Sequence, residues 1–413
     1  MRQIIVPALP ALLALGLATG TATAQGSVFT SLTEVAPPTG PGAREPSLFA
    51  LPGRRILLGW SEPVPGGFAV RAAIGTRAGF DAPGTVTAAP NLFVNWADFP
   101  SVAAFADGTL AAHFLQENGP STYDYDLKIA LSADHGATWS VPLTPHRDAS
   151  IRQHGFATLL PDGDNLLAIW LDGRAYDIRG ADTPDNAMQL RAATVSPQGK
   201  ISEDILLDRR TCTCCQTSAA VTDSGVVLAA YRDRSDREIR DISVLRRING
   251  VWSGPTRVHA DNWQIDGCPV NGPAIDTAGE RAVVAWFTAA NDVPAVKLAF
   301  SDDAGTSFGP PIRVDQGDAA GRVDVVALAD GSALISWVEW QDAGEALMVC
   351  RIVPGGACDA PETITLNTTN GVINFPRMVG TEGGVWITWT QPLEKPDAGP
   401  EQDLTIRLLH ALF

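Results

Sequence analysis

Tyrosine, positive charge and long apolar runs are what this 413-residue chain has little of. Lysine and arginine number 30 against 46 aspartates and glutamates, a formal net charge of −16. Such an excess is repelled by phosphate backbones and anionic bilayers, which excludes nucleic acid and a membrane surface as ordinary partners. Beyond the first two dozen residues, no stretch is long and apolar enough to span a bilayer. The opening residues differ. Arg2 is followed by an apolar run from Ile4 to Ala18 broken by two prolines, and Ala22-Thr23-Ala24 precedes Gln25. This reads as an export signal with a small-residue cleavage site. The rival reading, a membrane anchor, has only a short run to use. The expectation is therefore a signal peptide over residues 1–24 and one domain over 25–413, in a secreted or periplasmic protein with no stable membrane insertion.

What the chain does have is a repeat. Apolar alternation, a tight turn and a second alternation ending on an aromatic recur in PSLFALPGRRILLGW (46–60), PSVAAFADGTLAAHF (100–114), FATLLPDGDNLLAIW (156–170), TSAAVTDSGVVLAAY (217–231), GPAIDTAGERAVVAW (272–286), VDVVALADGSALISW (323–337) and FPRMVGTEGGVWITW (375–389). Alternation of period two around an Asp-Gly or Pro-Gly turn is a hairpin. The closing aromatics, Trp60, Phe114, Trp170, Tyr231, Trp286, Trp337 and Trp389, recur at spacings near the length of one four-stranded propeller blade. A third strand follows in each repeat, and a fourth in most. The last repeat stops after its third strand, while SVFTSLTEVA (27–36) stands unpaired at the start. The pattern predicts an all-β, seven-bladed β-propeller of four-stranded antiparallel blades, the last blade closed by the N-terminal strand. Six blades is the alternative count.

Two turns between third and fourth strands carry a sharper signature. Ser132-Ala-Asp134-His-Gly136-Ala-Thr138-Trp139 follows S-x-D-x-G-x-T-W, and Ser301-Asp-Asp303-Ala-Gly305-Thr-Ser307-Phe308 repeats it with Phe. They resemble the Asp-box, or BNR repeat, of the sialidase (neuraminidase) superfamily. The resemblance implies a propeller acting on or binding an anionic glycan or glycoconjugate, and needs no cofactor. In that family an R-x-P arginine opens the first blade, as Arg44-Glu45-Pro46 does here, and three arginines grip the sugar carboxylate. By position on the rim, Arg232 or Arg234, and Arg377, would be the second and third. The family's nucleophile is a tyrosine in a late blade. This chain has four tyrosines, the last being Tyr231, so that nucleophile is missing from repeats 5 to 7.

Strand topology gathers the residues before each first strand and after each second strand on one face. Two positions after the aromatics stand Glu62, Gln116, Asp172, Asp233, Thr288, Glu339 and Gln391. The lead-ins add Arg44, Trp96, Asp98, Arg152, His154, Asn271, Arg322, Asn374 and Arg377, with Arg174, Arg232 and Arg234 nearby. Glu62 and Asp172 are the candidate catalytic carboxylates, as a pair able to hydrolyse a glycosidic bond. Arg44, Asp98, His154, Arg174, Arg232, Arg234, Asn271, Arg322 and Arg377 are the candidate substrate-binding set. The bland reading is that loop ends are polar and Arg–Asp pairs tie blades together.

Six cysteines in an exported chain favour disulfides. Cys350 and Cys358 flank one turn and are expected to pair. Cys212-Thr-Cys214-Cys215 and Cys268 lead into neighbouring blades and should meet on the working face. Two disulfides among these four require a strained local link. Three or four thiolates in one pocket also suit Zn²⁺ or Cu⁺. Three functional readings stand side by side: a glycan-active sialidase-like enzyme, a non-catalytic propeller binding a glycan or a protein, and a propeller carrying a metal or thiol site.

Overall fold

A computed structural model describes residues 27–180, 183, 185–369, 371–393 and 404–413. The signal-peptide reading of residues 1–24 lies outside them. The described chain forms seven small antiparallel sheets, six of them built from consecutive strands, and thus a seven-bladed propeller. The hairpins lie where the repeat puts them: Arg44–Leu51 with Arg55–Val64 in blade 1, for example, and Ala319–Ala327 with Ala333–Gln341 in blade 6. Blade 2 has three full strands, its fourth position reduced to a bridge between Ile129 and Leu143. Blade 7 is completed by the N-terminal strand Ser31–Glu34, which pairs with Leu404–Leu412 in the register Ser31 to Leu412.

The recurrent aromatic explains why the repeats need each other. Each one packs on the preceding blade. Phe114 of blade 2 lies against Leu57 and Val70 of blade 1, and Trp170 lies among Ala103, Ala111 and Leu127 of blade 2. Tyr231, Trp286, Trp337 and Trp389 repeat the arrangement, and Trp60 closes the circle on Ile406 of blade 7. Burying about 200 Å² of such a side chain at ~25 cal/mol per Å² stabilises each boundary by about 5 kcal/mol. A single blade offers no such cover, so each blade is stabilised by its neighbours.

Both Asp-containing turns fold alike. Asp134 accepts from Ser132 Oγ and from the Thr138 amide and hydroxyl, while the Gly136 amide donates to Ser132 Oγ. Asp303 makes the same bonds with Ser301 and Ser307, and the Gly305 amide donates to Ser301 Oγ. Gly136 (φ 91°) and Gly305 (φ 75°) supply the left-handed backbone that the turn requires. Trp139 packs into the boundary with blade 1, and Phe308 into the cluster shared by blades 4 and 5.

Several first strands begin with a β-bulge. Register shifts follow Arg44, Gly155 and Gly321, and the residues Glu45, Phe156 and Arg322 take positive φ. A bulge at a strand end re-aims the next amide and side chain. Here it turns backbone groups toward the neighbouring blade's lead-in.

Candidate functional site

The lead-ins of blades 2 to 5 enclose a cavity of about 500 Å³. Its walls include Trp96, Tyr123, Tyr125 and Tyr176, with Arg234 and Arg240 on one side and the Cys214–Cys268 bridge beside them. Asp98 and Phe156 are shared with a narrower channel, about 180 Å³, that is lined by the first strands of all seven blades. Trp96 and Tyr123 stay exposed, which is unusual for large aromatics and common where a ligand stacks.

At the junction of cavity and channel sits a buried pair. Tyr125 Oη donates to Asp98 Oδ2 at 2.8 Å, and the Phe156 amide donates to Asp98 Oδ1 at 2.7 Å. Burial pushes the Asp98 carboxyl up to about 7, against the lowering effect of those two donors. The same burial and the adjacent carboxylate push the Tyr125 hydroxyl well above its ordinary range. A carboxyl poised near neutrality beside a hydroxyl can accept and return a proton. Gly155 holds the pair close, because a Cβ there would stand 2.2 Å from Asp98 Oδ2 and 2.8 Å from the Tyr125 ring.

The basic wall is a cluster around one carboxylate. Glu238 accepts from Arg210 at 2.9 Å, from Arg234 at 3.0 Å and from Arg240 at 2.7 Å. Three guanidiniums on one carboxylate leave that wall positive; burial raises the Glu238 carboxyl, but Arg234 and Arg240 outweigh it and hold it down at about 2. Asp177 and Asp266 lie elsewhere in the cavity wall.

Four sulfurs adjoin this wall. Cys214 is bonded to Cys268 across the boundary of blades 4 and 5, while Cys212 and Cys215 are buried thiols. Cys212 Sγ lies 3.9 Å from Cys214 Sγ and 3.9 Å from an N–H of Arg240. Burial raises the Cys212 thiol, but Cys215, Arg240 and the Cys214 amide outweigh it and bring it down to about 6. Cys350 and Cys358 form the expected local disulfide.

The structure separates the predicted site residues. Asp98, Arg234, Cys214 and Cys268 line the cavity. Arg377 lines the channel, 3.7 Å from Asp324 and over the ring of Phe99. Arg44 lies in a shallow groove with Glu45, Trp96 and Asn374, which adjoins the cavity at Trp96. Arg232 is fully buried and donates to three carbonyls, those of Asn271, Arg240 and Phe287. A carboxylate grip by Arg44, Arg232 and Arg377 therefore does not form. The Arg322 amide donates to Asn271 Oδ1, and the Arg322 guanidinium lies over the Trp96 ring and donates to Glu345. His154 stacks on His146 at 3.8 Å and bonds to Asp148, and Arg174 bridges Asp172 and Asp204.

Glu62 and Asp172 line neither cavity nor channel. Each accepts the indole N–H of the tryptophan two residues earlier: Trp60 to Glu62 at 2.9 Å and Trp170 to Asp172 at 2.8 Å. Trp337 does the same to Glu339, and Trp389 to Gln391, both at 2.8 Å. Residues i and i+2 share a strand face, and a buried indole needs an acceptor. The acidic or amide pattern after the aromatics is thus largely a device for satisfying the repeat's own tryptophans. Arg71 and Arg174 then pair with the two carboxylates.

Tyr125, Arg240 and Glu238 were not among the candidates. Their signal lies in the third strands. A third strand begins on the face where the second ends, so Tyr123-Asp-Tyr125 opening that strand of blade 2 marks the same rim.

No protein-family model matches the chain, and no curated protein matches it in sequence. Solved structures do resemble it. The polysaccharide lyase Uly1 matches with a TM-score of 0.53 at 10% identity, covering 90% of each chain. An endosialidase of phage phi92 matches with a TM-score of 0.50 at 10% identity, covering 93% of this chain and 69% of the other. At such identity the likeness is one of fold.

Proposed function

We propose that this chain is an exported, glycan-acting propeller of sialidase-like design, and that its substrate binds in the cavity over blades 2 to 5. The observation that carries the proposal is the buried Asp98–Tyr125 pair opening into an aromatic cavity beside a basic wall. Trp96, Tyr123 and Tyr176 offer rings on which the apolar face of a sugar stacks. The wall of Arg234 and Arg240 suits a sugar carboxylate. Asp98 and Tyr125 supply the proton transfer that glycosidic cleavage needs, a role that Glu62 and Asp172 are not placed to fill. Two solved propellers of like fold are named for polysaccharide cleavage and endosialidase activity, which supports a glycan substrate without naming a sugar.

The test is incubation of the purified protein with a panel of uronate-containing polysaccharides and sialosides. New reducing ends, unsaturated products and released sialic acid are read separately, with Tyr125→Phe and Asp98→Asn as controls. Turnover lost in both folded variants supports the reading. Turnover that survives both places the chemistry elsewhere. Binding without turnover in the unaltered protein makes it a glycan-binding module.

A further inference from the structure

The four sulfurs beside the cavity are more than one interblade disulfide needs. A single bond between blades 4 and 5 takes two cysteines. Cys212 and Cys215 add two more thiols, both buried, at the same spot. The remaining cysteines, Cys350 and Cys358, lie together within the blade 6 region, so among the described residues no other blade boundary is crossed by a disulfide.

The segments that carry the four are fixed to each other by hydrogen bonds between side chain and backbone. The Gly272 amide donates to Gln216 Oε1 at 2.9 Å, and Arg232 Nε donates to the Asn271 carbonyl at 2.9 Å. A Cβ on Gly272 would stand 2.1 Å from the Gln216 carbonyl oxygen, so the two lead-ins run in direct contact. The Cys212, Cys214 and Cys215 sulfurs all lie within 4.8 Å of one another, and Cys268 is bonded to Cys214.

These distances are those of a metal–thiolate site. With metal–sulfur bonds of about 2.3 Å, a tetrahedral site has sulfurs about 3.8 Å apart, and Cys212 and Cys214 are 3.9 Å apart. Charge agrees as well. Four thiolates around a divalent ion leave two negative charges. Two buried guanidiniums border the group: Arg240 points an N–H at Cys212, and Arg232 stands behind Cys212 and Cys215. Soft thiolate donors select Zn²⁺ or Cu⁺ over oxygen-seeking cations.

We propose that Cys212, Cys214, Cys215 and Cys268 form a preorganised four-sulfur site for one thiophilic metal ion, and that the Cys214–Cys268 disulfide is the oxidised, metal-free form of that site. The two forms interconvert in balance. A thiol reductant donates two electrons and two protons to the Cys214–Cys268 bond and is itself oxidised to a disulfide. The metal ion then displaces the protons of the four thiols. The site adjoins the cavity wall, since Cys214 and Cys268 line it. It does not depend on what the cavity binds.

The experiment needs no substrate. The intact protein is reduced with dithiothreitol under argon, freed of reductant, and titrated separately with Zn²⁺ and with Cu⁺ against a chromophoric competitor. Metal retained after gel filtration is measured by mass spectrometry, and Co²⁺ replaces Zn²⁺ to report the ligands through its thiolate charge-transfer and d–d bands. The expected result is one ion per chain and a tetrahedral tetrathiolate cobalt spectrum. Affinity should fall at least tenfold in each of Cys212→Ser and Cys268→Ser, and stay unchanged in the Cys350→Ser/Cys358→Ser double variant. Retention of Zn²⁺ alone, or of Cu⁺ alone, identifies the ion and supports the site. If the reduced protein keeps its native circular dichroism and retains neither ion, the proposal is overturned. It is equally overturned if Cys212→Ser binds as tightly as the parent. Should a variant unfold, the cobalt spectrum and thiol count of the unaltered protein still decide.

Discussion

The Asp98→Asn substitution tests both stability and chemistry at the heart of the cavity. Folded Asp98 holds its proton up to about pH 7, whereas an unfolded aspartate loses it near its ordinary value of 3.8. Between those limits the folded state binds one more proton than the unfolded state. Stability contributed by this group is therefore fully present at acid pH and is lost as pH rises, by about 1.4 kcal/mol per unit and roughly 4 kcal/mol in all. Asparagine keeps the shape. Its oxygen can accept from the Phe156 amide, and the Tyr125 hydroxyl can turn to accept from its amide. Asparagine does not titrate, so the stability difference between parent and variant should tilt by roughly 4 kcal/mol between pH 4 and pH 7 in the parent's disfavour. Glu45 and Asp276, raised by burial to about 8 and about 6, tilt both proteins alike and cancel. The assay is urea unfolding of both proteins at half-unit steps from pH 4 to 8. A difference that stays flat across that range would refute the buried-acid argument, and with it the proton-transfer role.

Other outcomes follow from neighbouring features. His113, fully buried with its Nδ1 accepting from the Ser101 amide, is held down at about 3 by burial. Its contribution is present above the ordinary histidine value of 6.5 and is lost as pH falls toward 3, so His113→Asn should flatten acid unfolding by roughly 4–5 kcal/mol over that span. Asp172→Ala removes the acceptor for Trp170 and one of the two carboxylates on Arg174. It should cost about 3 kcal/mol in chemical denaturation while leaving ligand binding intact, and an effect confined to turnover would restore Asp172 as a catalytic group. Gly155→Ala forces a methyl between Asp98 and Tyr125; kcat should drop at least tenfold with little change in the affinity of a bound glycan, as read by calorimetry.

What was legible in the sequence was what is local. A hairpin writes its period and turn into fifteen residues, so seven copies ending on Trp60 through Trp389 gave the blades, and the unpaired strand at 27–36 gave the closure. The same proximity misled at Glu62 and Asp172. Their spacing from a tryptophan shows in the sequence, but the indole N–H that occupies each carboxylate shows only in the folded strand. The candidate site was legible as a rim and no further. Asp98, Arg234 and the four cysteines do come together there, whereas Arg44, Arg232 and Arg377 go to a groove, the protein interior and the channel. The place of Arg44 is set next to the bulge at Glu45, which takes positive φ without a glycine to announce it, while Arg232 and Arg377 stand on strands of regular register. Tyr125 carries no mark in the repeat, because its role comes from a contact with Asp98, 27 residues away in sequence, that forms only when the third strand of blade 2 starts at the rim.

The strand pair Ser31–Glu34 with Leu404–Leu412 has a consequence for the life history of the molecule. Every other contact between strands within a blade closes a short loop, but this one closes nearly the whole chain. Loop-closure entropy grows only logarithmically, so the seam costs about 3 kcal/mol more than a hairpin of fifteen residues. Six blades can assemble in order as the polypeptide is delivered, yet the ring stays open until the last residues arrive to meet the first. During that interval the outer edge of blade 7 is bare, as is the face that blade 1 turns to it, and a chaperone that covers a single strand edge would guard the edge of the intermediate. Once shut, the ring has no mechanical beginning, and cutting it at any blade junction while joining residues near 27 and 413 should give a permuted protein that moves the slow step to a new boundary.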